Sequence, residues 1–145
     1  MNMLQHFADN PEMYSINGTL LGCIYEQYKA ITDGAEFVGM SEHKCDQIKD
    51  NQRIEVKTTW MPMKENGRMQ YQHIYQKKGG FDVLHLYDGY NHRAADIPHD
   101  VVFNQMKFNK AGAVKISSSY NPDVRKLERV NTEIFLKYEV PVNLL

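Results

Sequence analysis

The chain has 145 residues, 42% of them hydrophobic and 24% charged, with a net charge of −1. That is the make-up of one globular domain over residues 1–145, not of a disordered chain. No apolar run reaches the roughly 20 residues that span a membrane, and residues 1–10 carry no secretory leader pattern, so a cytoplasmic protein is expected.

In chain order, Ile16, Leu20, Cys23 or Ile24, and Ile31 recur at helical spacing, with Ser15 or Asn17 to cap the start and Gly34 to end the helix. Residues 35–39 read as a short strand and residues 41–44 as a polar loop. Asp46-Gln47-Ile48 begins a second strand, Asp50-Asn51 is a turn signal, and residues 53–60 alternate strictly with β-branched residues. Residues 46–60 therefore read as a β-hairpin. Residues 61–67 read as a loop, and residues 69–75 have an ambiguous period, helix or other ordered segment. After Gly79-Gly80, residues 81–87 are nearly continuously apolar, as in a buried central strand, which Asp88-Gly89 ends. A short helix is expected from Pro98 to Lys107, a strand over residues 113–117, and a helix capped by Asn121-Pro122 running to about Tyr138. The sum is an α/β fold, a mixed β-sheet flanked by helices.

Two cysteines, Cys23 and Cys45, make no Cys-x-x-Cys pair. They argue against a disulfide framework or a structural zinc site and predict reduced, mostly buried thiols. The near-neutral total is unusual for a nucleic-acid binder. However, acidic ligands cancel cations in such a sum, and residues 107–115 and the segment with Arg125, Lys126 and Arg129 are locally rich in cations.

The chemistry concentrates in the hairpin. Residues two apart on a strand share a face, so Glu55 and Lys57 project together while Ile54, Val56 and Thr58 face the other way. Asp46 stands within reach across the hairpin, and the Val56 carbonyl is free if pairing ends there. Two carboxylates and a carbonyl are the hard oxygen ligands that magnesium prefers. A lysine beside them can orient or help deprotonate a water and offset charge in a transition state. These are the needs of phosphodiester hydrolysis. A second Glu-x-Lys triplet, Glu42-His43-Lys44, has no apolar alternation and reads as solvated surface. The plain alternative for Glu55 and Lys57 is an ion pair on an exposed strand.

Asp46 followed by Ile54-Glu55-Val56-Lys57-Thr58-Thr59 resembles the Asp…(Asp/Glu)-x-Lys motif of the PD-(D/E)XK nuclease superfamily. Gly22-x-x-x-Glu26 on the first helix, the strand at 81–87 with Asp82, and Asp96-Ile97-Pro98 leading into a helix are similar to that family's core. The resemblance covers most of the chain and departs in lacking a Pro before Asp46. It implies a restriction-endonuclease-like three-layer sandwich and a metal-dependent DNA endonuclease, with Mg²⁺ as cofactor and Mn²⁺ as a substitute. Asp46 and Glu55, with the Val56 carbonyl, would be metal ligands, Lys57 the catalytic lysine, and Glu26 an outer ligand through water. Double-strand cutting by so small a chain implies a homodimer, with DNA recognition by residues 61–68 and 89–99.

Lesser candidates are Gln72, His73 or Lys78 near a scissile phosphate, Tyr71, Tyr75, Tyr87 and Tyr90 for base stacking, and Ser117, Ser118 and Ser119 for phosphate hydrogen bonds. Each has an ordinary packing or surface reading. His85, His92 and His99 lack metal-site spacing. Two other classes stay open: a non-catalytic binding module on the same fold, and a metal-free acid–base enzyme using Glu55 and Lys57.

Overall fold

The structure, a computed structural model, describes residues 18–38, 46–60, 68–77, 80–105, 113–116 and 119–142. Helix α1 (Gly18–Asp33) buries Leu21, Tyr25, Lys29 and Ala30 along one stripe and leaves Gln27 and Ile31 outside. Gly34 ends it with φ of 67°. Its N–H donates to the Ile31 carbonyl and that of Ala35 to the Ala30 carbonyl, the two bonds of a Schellman stop, which favours glycine at this φ. Cys23 lies on the outer stripe and is exposed, against the expectation of a buried thiol. Cys45 lies outside the described residues, as do residues 41–44.

Strands β1 (Glu36–Phe37), β2 (Gln47–Lys49) and β3 (Gln52–Thr59) follow. The β2–β3 hairpin turns on Asp50 and Asn51, both with positive φ of 50° and 63°. Such two-residue turns match the twist of the strands, and Asn and Asp tolerate them. After β4 (Arg68–Lys77), β5 (Val83–Asp88) pairs parallel with β3, from Ile54 opposite Val83 to Thr59 opposite Asp88. Asp82 locks the start of that pairing. Its carboxylate accepts the Arg53 backbone N–H at 2.8 Å and the Arg53 guanidinium at 3.2 and 3.3 Å.

Strand β6 (Arg93–Pro98) returns antiparallel to β5, helix α2 (His99–Gln105) follows, and β9 (Glu139–Val140) closes the far edge. The six-stranded sheet runs β1-β2-β3-β5-β6-β9. On one face Tyr25 of α1 packs on Ile54, Val56, Tyr87 and Ala94. On the other, Leu84, Leu86, Ala95 and Ile97 are covered by Val101 and Val102 of α2 and Phe135 of α3 (Thr132–Lys137). The mixed α/β reading holds, with helices on both faces. Among the described residues no helix is long and apolar enough to cross a membrane.

Some readings are corrected, and one left open is settled. Asp96-Ile97-Pro98, read as leading into a helix, is the second half of strand β6 (Arg93–Pro98), and residues 89–92 form a tight turn held by Asp88, which accepts the N–H groups of Tyr90 and Asn91 at 3.0 and 3.2 Å. This leaves no recognition loop over 89–99. Residues 68–77 settle as strand β4. The helix expected from Asn121 is a strand, β8 (Ser119–Asn131), which joins β4 and β7 (Ala113–Ile116) in a second sheet ordered β4-β8-β7. Only 132–137 are helical. The Asn-Pro start signal is local and pairing on both sides overrides it. Pro122, which has no N–H to give, falls where neither ladder is regular: β4 pairing stops at Val124, and the β7 register shifts between Ala113 and Lys115. Residues 61–67, Lys78, Ser117 and Ser118 lie outside the described residues.

Candidate active site

Strand β2 is shorter than β3, and the site is built on that difference. Gln47 of β2 pairs with Ile54, after which β3 runs on without β2 beside it. Asp46 sits at the end of β2. Its N–H donates to the Ile54 carbonyl at 2.9 Å, its carbonyl accepts from Val38 at 2.8 Å, and its Oδ2 accepts the Val56 N–H at 2.8 Å. The carboxylate thus takes the ladder position that a longer β2 would fill. In a strand the N–H and C=O of one residue face the same neighbour, so the Val56 carbonyl looks onto the same open edge.

Alternation sends Glu55 and Lys57 to the face opposite Ile54 and Val56, as expected. Lys57 Nζ lies 3.4 Å from Glu55 Oε1, and the two side chains are 24% and 21% exposed, open enough for a substrate and closed enough for charge to matter. Glu26 reaches the same place from α1, where Gln47 Nε2 donates to its backbone carbonyl at 2.6 Å. Gln47 is fully buried and its Oε1 has no partner among the described residues. Sequence reasoning passed over this glutamine, although an amide between Asp46 and Ile48 in a strand is the signal that marks it.

Electrostatics ties the four charged residues into one group. Burial, the charge of Asp46 and a hydrogen bond with it, and the charge of Glu55 together raise the Glu26 carboxyl to about 8, with Lys57 opposing. Burial and Asp46 raise Glu55 to about 7, again against Lys57. The protein therefore holds three carboxyl groups together around one ammonium. Among the described residues no three His, Cys, Asp or Glu side chains are drawn into a ready ligand shell. A magnesium ion asks for less: one or two carboxylates, other oxygen donors and several waters. Asp46, Glu55 and the Val56 carbonyl fit that donor set.

A second constellation went unread in the sequence. Tyr25, next to Glu26, lies against central His85, its hydroxyl 2.6 Å from Nε2, while His85 Nδ1 lies 2.6 Å from Asp96 Oδ1. Burial lowers the His85 pKa despite Asp96, so the ring is neutral. Its Nδ1–H donates to the carboxylate and Nε2 accepts from the phenol. Burial first, then Tyr87 and the Asp33 and Asp96 carboxylates, hold the Tyr25 phenol far above its ordinary pKa, so it stays protonated as the donor. Tyr25 also stacks on Tyr87 at 3.9 Å between centroids. The chain pins α1, and with it Glu26, to the sheet. Beside it lies a polar cleft of about 190 Å³ with Lys29, Asp33 and Lys49 in its walls, away from Glu55 and Lys57. Tyr25→Phe keeps the stacking and strands a buried Nε2, so we expect a loss of about 1–3 kcal/mol of stability, read as a lower urea midpoint with the slope unchanged.

Of the lesser candidates, Tyr87 is fully buried and Tyr90 is exposed, while Tyr71, Gln72, His73 and Tyr75 fall on β4. Tyr87 is taken up by packing: it contacts Tyr25, Trp60 and His92. No family model matches this sequence, and no curated protein matches it.

Proposed function

We propose that this chain is a metal-dependent DNA endonuclease with a restriction-endonuclease-like core. The observation that carries the reading is the convergence of Glu26, Asp46, Glu55 and Lys57 at the open edge of β3. Exposed strand ion pairs need no third and fourth charged partner, and a partly buried group of like charges is costly unless a bound cation offsets it. Mg²⁺, or Mn²⁺ in its place, would be held by Asp46, Glu55 and the Val56 carbonyl with Glu26 outside them, and bound there it would offset the charge developing on the scissile phosphate. Lys57, paired with Glu55, would orient the attacking water with its ammonium and offset the charge at phosphorus as the water oxygen bonds to it and the P–O bond to the leaving oxygen breaks. Rigid β3 fixes the spacing of Glu55 and Lys57. A symmetric homodimer would let each subunit cut one strand of a duplex.

The test is direct. Purified protein is incubated with supercoiled plasmid, phage genomic DNA and a branched junction, each with Mg²⁺, Mn²⁺ or EDTA. Metal-dependent cutting supports the reading, discrete bands mark a sequence-specific enzyme, and junction-only cutting marks a resolvase. No cutting of any substrate would move the weight to a binding module on the same core.

A further inference from the structure

We infer that Gln47 is a positioning residue of the candidate site: its buried amide clamps the backbone of Glu26 and thereby sets where the Glu26 carboxyl stands beside Asp46 and Glu55. This role rests on the metal-dependent reading of that site and deepens it. The observation behind it is separate: an amide that is fully buried yet bonded at one end only.

Cross-strand partners share a face, and Gln47 pairs with Ile54, which packs with Val56 under Tyr25 of α1. A side chain in this place is expected to be apolar. Gln47 instead is fully buried, with Nε2 donating to the Glu26 carbonyl at 2.6 Å and Oε1 without a partner among the described residues. The Glu26 carbonyl does not need that bond, because the N–H four residues on, that of Ala30, serves it within α1. A buried carbonyl oxygen left unpaired costs stability. An apolar residue of the same shape would avoid that cost, so folding alone gives no reason for a glutamine here. Departures of this kind belong to functional sites.

The geometry supplies the reason. Gln47 directly follows Asp46, whose Oδ2 is fixed on the Val56 N–H at 2.8 Å. The same strand end therefore holds Asp46 and, through the Gln47 amide, the residue whose carboxyl hydrogen-bonds Asp46. Tyr25, one residue before Glu26, is held on β5 by His85 at 2.6 Å. One turn earlier, a Cβ on Gly22 would stand 2.9 Å from Thr58 Oγ1, so the bare glycine lets α1 lie close on β3. Helix α1 is thus fixed on β2, β3 and β5 around Glu26. A carboxyl that acts on a metal through water has to stand within about 0.5 Å of its productive place. Of the three anchors, Gln47 is the one bonded to Glu26 itself.

The experiment compares the full chain with Gln47→Met, Glu26→Gln and the double variant. Gln47→Met keeps the volume and removes both the donor and the unpaired acceptor. Its urea midpoint in EDTA is expected to equal or exceed that of the unsubstituted chain. Its calorimetric Mn²⁺ affinity is expected to fall about tenfold, and kcat for plasmid cleavage to fall with it while KM for DNA stays within about twofold. In the Glu26→Gln background the same substitution is expected to change Mn²⁺ affinity by less than about twofold, since the amide then has no carboxylate to place. A lower urea midpoint in Gln47→Met, an unchanged Mn²⁺ affinity, or an equal loss in both backgrounds would overturn the proposal. Mn²⁺ binding coupled between positions 26 and 47 in a protein that cuts no DNA would remove the nuclease reading alone. Cutting and Mn²⁺ binding that Gln47→Met leaves unaltered would remove the role of Gln47 alone. Absence of Mn²⁺ binding by the unsubstituted chain would overturn both.

Discussion

Lys57→Ala is expected to slow DNA cleavage by about 10²–10⁴-fold while divalent-cation binding persists, whereas Glu55→Ala is expected to abolish both. The difference follows from position. Glu55 and Asp46 supply the charge that would hold the cation, and Asp46 is fixed by three backbone groups whether or not Lys57 is present. Among the described residues Lys57 makes one ion pair, with Glu55 at 3.4 Å, and its side chain is 24% exposed to water. It also holds the Glu55 pKa down through its charge and hydrogen bond. Without it Glu55 ionises at still higher pH, so the acid limb of the rate profile should move to higher pH in Lys57→Ala. Single-turnover cleavage and Mn²⁺ calorimetry separate the two effects. Wild-type rates in both variants, or loss of Mn²⁺ binding in Lys57→Ala with none in Glu55→Ala, would dismantle the assignment of roles.

The features legible in the sequence are those decided by a few adjacent residues. The Gly34 stop, the Asp50-Asn51 turn, the alternation from Arg53 to Thr59 and the apolar run of β5 need no distant partner, and each is where local chemistry puts it. The placement of Glu55 and Lys57 on one face follows from the same alternation. What failed was set by partners far along the chain. Strand β6 contains two alanines, an Asp and a Pro, all poor strand formers, and it forms because β5 and β9 flank it. Strand β8 overrides a good helix start because β4 and β7 pair with it. The bond from Tyr25 to His85 spans 60 positions, and no spacing rule reaches that far. A histidine inside an apolar central strand was the available clue, since a buried imidazole needs partners on both nitrogens.

Without a divalent cation the protein should lose stability as pH rises from about 6.5 to 8.5, and Glu55→Gln should remove part of that loss, the larger share in this window belonging to Glu26. Glu55 is raised to about 7 and Glu26 to about 8, each from 4.5. Between the unfolded and folded values the native state keeps a proton that the unfolded chain has released. Stability therefore falls with increasing pH across that window and is lowest above the folded pKa values. His85 has the opposite sign: its pKa is lowered, so its contribution is complete above its unfolded value of 6.5 and fades only as pH falls below it. The window above 6.5 thus isolates the glutamates. Solvent access at the open edge discounts the full shift, leaving about 1–3 kcal/mol, or a few degrees in Tm for a domain of this size. A cation that binds only the native state adds about 2.7 kcal/mol at one hundred times its Kd, so Mg²⁺ should restore the wild type at pH 8.5 and have little effect on Glu55→Gln. Thermal melts of the two proteins at pH 6.5 and 8.5, with EDTA or Mg²⁺, give the comparison. If the glutamine variant melts no higher than wild type at pH 8.5 in EDTA, the carboxylates do not repel one another as placed, and a site that gains its cation affinity from that repulsion is the wrong description of this edge of the sheet.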